Sequence, residues 1–256
     1  MIKVIFFDVD DTLFSHSCKR MPQSTIYALD RLKEKGILRV VATGRSLMEL
    51  KEINLGYFDF DAYILLNGQM ILDHDLHLIE GSPIPDQDFK YLLELYNTNQ
   101  IPLQFIEEDR YYINFVNDDV KRAQEAIHTS IPPVLPYSGK PIYQICSFID
   151  EADIAQLEKR LTDCIITRWS HKAIDIISKT GGKEKSIQKY LRLKNISQKE
   201  TMAFGDGDND QKMLEYCHIG IAMGNAKENV KQIADYITTD IDHTGIYAAL
   251  KHFELI

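Results

Sequence analysis

Five short apolar runs, "KVIFFDV", "ILRVVAT", "AYILLNG", "TMAFGD" and "IGIAMG", alternate along the chain with amphipathic segments. Nothing else in the sequence restricts the fold as tightly. The runs are rich in Val, Ile and Phe, as strands buried on both faces require, and the helices between them supply the crossovers that parallel pairing demands. Between the first two runs, "STIYALDRLKEKG" carries Ile26, Leu29 and Leu32 at helical spacing, with Gly36 as a stop. After the last run, "AKENVKQIADYIT" reads as a helix leading into a short strand. The pattern predicts an α/β chain built on an open parallel sheet.

The alternation breaks once. From about Ser82, "SPIPD" is followed by a helix in "DFKYLLELYNTN", a strand pair in "PLQFIEEDRYYINF", a helix in "DDVKRAQEAIHT" and a strand in "IYQICSFI". A helix in "DIAQLEKRL" and a strand pair, "CIITRWS" with "KAIDIIS", complete the segment. Helices followed by strands on short turns make an α+β domain. Residues 82–179 are therefore expected to form a second domain inserted into a first, which comprises 1–81 and 180–256 and resumes at "TGGKEKS".

In an open parallel sheet, ligands bind beyond the carboxyl ends of the strands. That rule gathers four distant stretches into one candidate site. Asp8 and Asp10 follow the first run; Thr43, Gly44 and Arg45 follow the second; Asp206 to Asp210, in "GDGDND", follow "TMAF". Lys183 opens a helix where the chain returns from the insertion. Asp8, Asp10, Asp11, Asp206, Asp208 and Asp210 place up to six carboxylates near one edge. Each like-charged pair at 4 Å costs about 1 kcal/mol in water and several-fold more when partly buried, so the cluster needs a cation. Oxygen-only donors, few carboxylates and room for water and phosphate suit Mg²⁺ better than Ca²⁺. An EF-hand is excluded, because Gln211 stands where that loop needs glycine and Cys217 where it needs glutamate.

A carboxylate can attack phosphorus to give an aspartyl-phosphate, dividing hydrolysis of an unreactive monoester into two easier steps. Asp8 is the candidate nucleophile. Asp10, two residues on, can protonate the leaving oxygen and later deprotonate water. The Thr43 hydroxyl and the backbone N–H groups near Gly44 can hold phosphoryl oxygens. Lys183 sits in a first helical turn, where the dipole mildly disfavours a cation, and balancing Asp8 and the phosphoryl charge accounts for that position. Taken singly, each stretch has a blander explanation: an N-cap turn, a solvated lysine, an Asx-rich loop. Their conjunction, each at a strand end or helix start, points to one site.

Charge and cysteine usage exclude other classes. With a formal net charge of -9 and its acids scattered, the chain has no broad electrostatic grip on nucleic acid or an anionic membrane. The four cysteines make no CxxC pair, so neither a zinc knuckle nor a disulfide framework is indicated. No window approaches the roughly 18 apolar residues of a membrane span, and Asp8, Asp10 and Asp11 interrupt the one early apolar run, so a cytoplasmic location is expected. The expected partner is a small phosphorylated metabolite.

At these residues the chain resembles the haloacid dehalogenase superfamily of phosphohydrolases, most closely its Cof-type branch. The D-x-D-x-T signature is "DVDDT", the second-motif threonine is Thr43 in "ATGR", the lysine is Lys183 in "TGGKEKS", and the acidic motif is "GDGDND". "IGIAMGNAKENVKQIADYIT" and "DHTGI" also look like that branch. The resemblance implies a Rossmann-like core with an inserted α+β cap that excludes water and selects the leaving group. It implies Mg²⁺-dependent phosphatase activity, with Asp8 as nucleophile and Asp10 as general acid/base. By the same carry-over the metal is held by the Asp8 carboxylate, the Asp10 backbone carbonyl and Asp206, with Asp210 close by, while Asn209 and Thr43 contact phosphate. Two departures stand out: Asp11 replaces a frequent glycine, and Glu184 follows Lys183 where glycine is common, so Lys185 competes for the lysine's role; spacing from Lys179 favours Lys183. Arg110, Tyr111, Tyr112, Trp169 and His171 could face the cleft, though strand aromatics more often pack. The expected activity is hydrolysis of a small phosphate monoester such as a sugar phosphate. The alternatives are a phosphotransferase or mutase using the same intermediate, and a non-catalytic phospho-acceptor, against which Asp10 argues.

Overall fold

In the computed structural model the described residues are 1–53, 55, 59–126, 129–170 and 172–256, the side chains of 169 and 170 excepted. His171 and the Trp169 side chain therefore lie outside the described residues. In chain order the elements begin with β1 (Val4–Phe7), α1 (Gln23–Glu34), β2 (Leu38–Ala42), α2 (Leu47–Glu52), β3 (Ala62–Leu65), β4 (Met70–Asp73) and β5 (Leu78–Gly81). Then come α3 (Asp86–Asn97), β6 (Leu103–Ile106), β7 (Tyr111–Ile113), α4 (Asp118–Ala126), β8 (Gln144–Phe148), α5 (Glu151–Arg160), β9 (Cys164–Ser170) and β10 (Ala173–Ser178). The chain closes with α6 (Lys183–Lys194), β11 (Thr201–Gly205), α7 (Gln211–Tyr216), β12 (Ile219–Ala222), α8 (Glu228–Ile233), β13 (Tyr236–Ile237) and α9 (Gly245–His252). These divide into two compact units, one of Met1–Arg45, Lys51–Glu80 and Gly182–Ile256, the other of Ser46–Leu50 and Gly81–Gly181.

The first unit is an eight-stranded sheet in the order β13-β12-β11-β1-β2-β3-β4-β5. β1 lies inside it, parallel to β11 (Phe7 beside Phe204) and to β2 (Phe7 beside Val41). All four β1 residues are fully buried, which is why that run is apolar at successive positions. On one face Val4, Phe6, Val40 and Ala203 pack with Ile187, Tyr190 and Leu191 of α6 and Met213 and Leu214 of α7. α1 buries Thr25, Ala28, Leu29 and Leu32, so its inward stripe is turned and leaves Ile26 half-buried. The parallel sheet expected from the five runs is present, with one addition: β4 runs antiparallel to β3, and β5 forms the edge beyond it. A tight connection after Leu65 permits that return, whereas a parallel return needs a crossover.

The second unit is an α+β layer. Its sheet has the order β7-β6-β8-β10-β9, and the strand pairs are antiparallel. Leu103, Phe105, Ile145, Ile174 and Ile176 pack against Leu92 and Leu95 of α3 and Ile154 and Leu157 of α5. Tyr112 is fully buried here, stands edge-on to Tyr96 and donates its hydroxyl to Glu107 Oε1 at 2.6 Å. It is a core residue of this unit.

Candidate active site

The strands β1, β2 and β11 end side by side, and the first residue beyond each carries a polar side chain. Pairing runs on for one step: the Asp8 N–H donates to Phe204 O at 3.0 Å and the Thr43 N–H to Ile64 O at 2.9 Å. The chain then turns sharply. The N–H groups of Thr12, Leu13 and Phe14 all donate to Val9 O, and Asp11 takes φ 54°, which aspartate tolerates better than most residues.

A second turn follows β3. Leu66 N–H donates to Arg45 O and Asn67 N–H to Thr43 O, so the "TGR" loop is tied to the "LNG" turn. Gly68 has φ +87°, and a Cβ there would lie 2.3 Å from the Gly182 backbone, so only glycine lets the start of α6 seat against the turn. Ser186 Oγ donates to Gly68 O at 2.6 Å and completes the seat.

That seating delivers Lys183. Its Nζ donates to Asp8 Oδ1 and to Asp210 Oδ1, each at 2.6 Å, and all three side chains are at most 8% exposed. Asp210 Oδ2 accepts the N–H groups of Asp206 and Gly207 at 3.1 and 3.0 Å, while Thr12 Oγ1 donates to Asp206 Oδ1 at 3.0 Å. Asp8, Asp206 and Asp210 each offer an oxygen within 4.8 Å of the others. Lys185 is exposed, so the buried lysine of this helix start is Lys183.

Three carboxylates face one ammonium. Burial pushes the Asp8 carboxyl well above its ordinary range, with Asp210 adding to the rise. Burial and Asp210 together push Asp206 up to about 7. Burial opposes the charge on Lys183, yet Asp210 and Asp8 outweigh it and hold the ammonium more firmly than usual. A set of hard oxygen donors with surplus negative charge fits a divalent cation, and this cluster could hold one.

The other sequence-derived candidates are placed differently. Asp10 turns its carboxylate to Arg45, whose Nε lies 3.1 and 2.9 Å from its two oxygens, and to His16 Nε2 at 2.7 Å. Burial works to raise Asp10, but the His16 and Arg45 hydrogen bonds prevail and hold it well below the carboxylate range. Thr43 is fully buried, and its Oγ1 accepts the Arg45 N–H at 3.1 Å. Gly44 passes beside the Asn67 amide, to which Asn209 Nδ2 donates at 3.2 Å. Asp208 leaves the cluster for the surface, paired with Lys227 at 2.5 Å and Asn229 at 2.7 Å, so fewer than six carboxylates converge. Asn225 explains one downstream motif: its Nδ2 donates to Asp11 O at 2.8 Å and its Oδ1 accepts the Ile241 N–H at 3.0 Å, joining the "DHTGI" loop to the first turn.

Sequence reasoning passed over His16 and Asn67. The dipeptide Asn67-Gly68 after a strand signals a positive-φ turn, which is where Asn67 sits, at φ 53°. No comparable signal marks His16.

The model of the haloacid dehalogenase-like hydrolases matches residues 5–250 of this chain. BT1666 from Bacteroides thetaiotaomicron, a phosphatase of the haloalkanoate enzyme superfamily, superposes with a TM-score of 0.90 at 33% identity, over 100% of this chain and 96% of its own. The subclass IIB sugar phosphatase BT4131 superposes with a TM-score of 0.83 at 36% identity, over 99% and 100%. The pyridoxal phosphate phosphatase YbhA of Escherichia coli is 27% identical over 97% of this chain and 98% of its own.

Proposed function

The chain belongs to the haloacid dehalogenase-like hydrolases and is a phosphoric monoester hydrolase, and from that premise we propose that it cleaves small-metabolite phosphates, sugar phosphates first among them, through a phosphorylated Asp8. The observation that carries this reading is the buried cluster at the end of the central strand, in which Lys183 holds one oxygen of Asp8 and the same ammonium holds Asp210.

Lys183 engages Asp8 Oδ1, which leaves Oδ2 as the attacking oxygen. As the new P–O bond forms and the ester P–O bond breaks, Asp10, once it has taken up a proton from solvent against the pull of Arg45 and His16, gives that proton to the departing oxygen, so an alcohol leaves instead of an alkoxide. Asp10, now ionised, takes a proton from water; the water oxygen bonds to phosphorus, the bond to Asp8 breaks, and phosphate is released. Arg45 and His16 favour the ionised Asp10 of the second step. Thr43, Gly44 and Asn209 are assigned to the phosphoryl oxygens, and Lys183 to the charge shared by Asp8 and phosphate. Mg²⁺, held by Asp8, the Asp10 carbonyl and Asp206 with Asp210 beside them, would supply the charge balance that lets the carboxylates and a phosphoryl group share the site. The inserted domain, expected over residues 82–179, acts in this reading as a cap that excludes water and selects the leaving group. The four free cysteines, three of them buried, favour a reducing cytoplasmic setting.

The test is phosphate release from a panel of small phosphate esters, with Mg²⁺ or with EDTA, wild type beside Asp8→Asn. Release that needs both Mg²⁺ and Asp8 supports the mechanism, and the ranking of esters identifies the substrate class. Near-normal release by Asp8→Asn overturns the nucleophile assignment, and transfer to an added alcohol without free phosphate favours a phosphotransferase.

A further inference from the structure

The Asp10 carboxylate is gripped unequally. Among the described residues, Oδ1 receives Arg45 Nε at 3.1 Å, Arg45 Nη2 at 2.7 Å and His16 Nε2 at 2.7 Å, whereas Oδ2 receives Arg45 Nε alone, at 2.9 Å. The two grips have separate origins. Arg45 belongs to the loop after β2, and His16 to the turn that follows Asp10 itself.

An exposed histidine on a loose turn would hold nothing, and His16 is 45% exposed. This turn is tied by several hydrogen bonds. Ser15 and Arg20 exchange both backbone hydrogen bonds, at 3.0 and 3.3 Å, and Cys18 N–H donates to Ser15 Oγ at 3.1 Å. The His16 N–H donates to Asp11 Oδ1 at 3.2 Å, its ring stands edge-on to buried Phe14 at 5.6 Å, and Ser17 Oγ donates to Asp242 Oδ2 at 2.5 Å. The His16 backbone is thus fixed apart from the carboxylate, and its ring lies edge-on to Phe14 beside it.

We propose that His16 is a positioning residue for Asp10: by adding a donor to Oδ1 from a chain segment other than that of Arg45, it fixes the rotation of the carboxyl group and leaves Oδ2 as the oxygen that exchanges a proton with the leaving group. His16 neither gains nor loses a proton in this role. Arg45 binds both oxygens, Nη2 on Oδ1 and Nε on Oδ2, and the His16 contact adds a further donor to Oδ1 from a second chain segment, which tightens the orientation the fork sets. The inference rests on the reading of Asp10 as acid/base.

The experiment compares kcat/KM for the best alkyl phosphate of the panel with that for p-nitrophenyl phosphate, whose leaving group needs little protonation. His16→Ala, His16→Gln, His16→Phe and Asp10→Asn are measured beside wild type, with thermal melting to establish that each is folded. His16→Ala should lose about 10-fold more on the alkyl ester than on the aryl ester, chiefly through kcat. His16→Gln, which can still donate to Oδ1, should recover most of that loss, and His16→Phe, which keeps the ring contact to Phe14 but has no N–H, should not. Equal losses on both esters, or full alkyl-ester activity in the Ala or Phe variant, overturn the proposal. If Asp10→Asn discriminates between the esters while the His16 variants do not, this inference alone fails; if Asp10→Asn does not discriminate, the acid/base assignment fails first.

Discussion

Asp210 is held by three donors and has no room to move. A Cβ on Gly205 would lie 2.6 Å from its Cβ and 2.8 Å from its Oδ2, so Gly205→Ala must displace the carboxylate that shares Lys183 with Asp8. The expected outcome is a protein that still folds but releases phosphate about 10- to 100-fold more slowly, measured by steady-state kinetics beside a melting curve. Asp10→Asn should slow turnover by roughly 100-fold or more, since the amide neither gives nor takes the proton. Much of this detail is invisible in the sequence. "DVDD" presents three carboxylates as equals, yet Asp8 goes to Lys183, Asp10 to Arg45 and His16, and Asp11 caps the His16 N–H. The turn around Val9 O, which no periodicity encodes, separates them.

At the scale of single elements, apolar periodicity reads strands better than helix faces. The run "ILRVVAT" becomes β2 despite an arginine inside it. Arg39 is 2% exposed and survives there because Asp61 Oδ2, one residue before β3, accepts both its backbone N–H at 2.8 Å and its Nε at 3.2 Å. Asp61→Ala would strand a buried guanidinium and should lower unfolding free energy by about 3 kcal/mol, read from denaturant midpoints. Arg39→Met, of similar length and uncharged, should cost much less, and the pair of results separates charge burial from packing. α1 shows the opposite limit: Ile26, Leu29 and Leu32 sit at helical spacing, but the buried stripe runs through Thr25, Ala28, Leu29 and Leu32 and leaves Ile26 half-buried. Small residues let a helix approach closely, and hydrophobicity alone does not rank that.

For the whole molecule, the cluster is expected to couple folding to pH and, in the proposed reading, to Mg²⁺. Asp206, near 3.9 in an unfolded chain and about 7 in the folded one, keeps a proton in the folded state that the unfolded state has lost at every pH between. Stability of the metal-free enzyme should therefore fall as pH rises from about 4 to about 7, by up to about 1.4 kcal/mol per pH unit, and level off above. Asp8 is shifted in the same direction, while the depressed Asp10 contributes only at lower pH, where its stabilisation is lost as it protonates. Mg²⁺ should raise the melting temperature more at pH 8 than at pH 5, because it binds the ionised cluster; calorimetry with EDTA and with Mg²⁺ at both values checks this. By itself the sequence determined the parallel α/β sheet, its α+β insertion and the placing of Asp8, Thr43 and Asp206 just past buried runs, because strand period, crossover length and helix stops are local properties. Only the tertiary structure decided which acids meet, that Asp208 turns away, that β4 returns antiparallel to β3 with β5 at the edge beyond it, and that His16 reaches Asp10. Those outcomes depend on turn geometry and on the seating of one element against another, which no single stretch of chain contains.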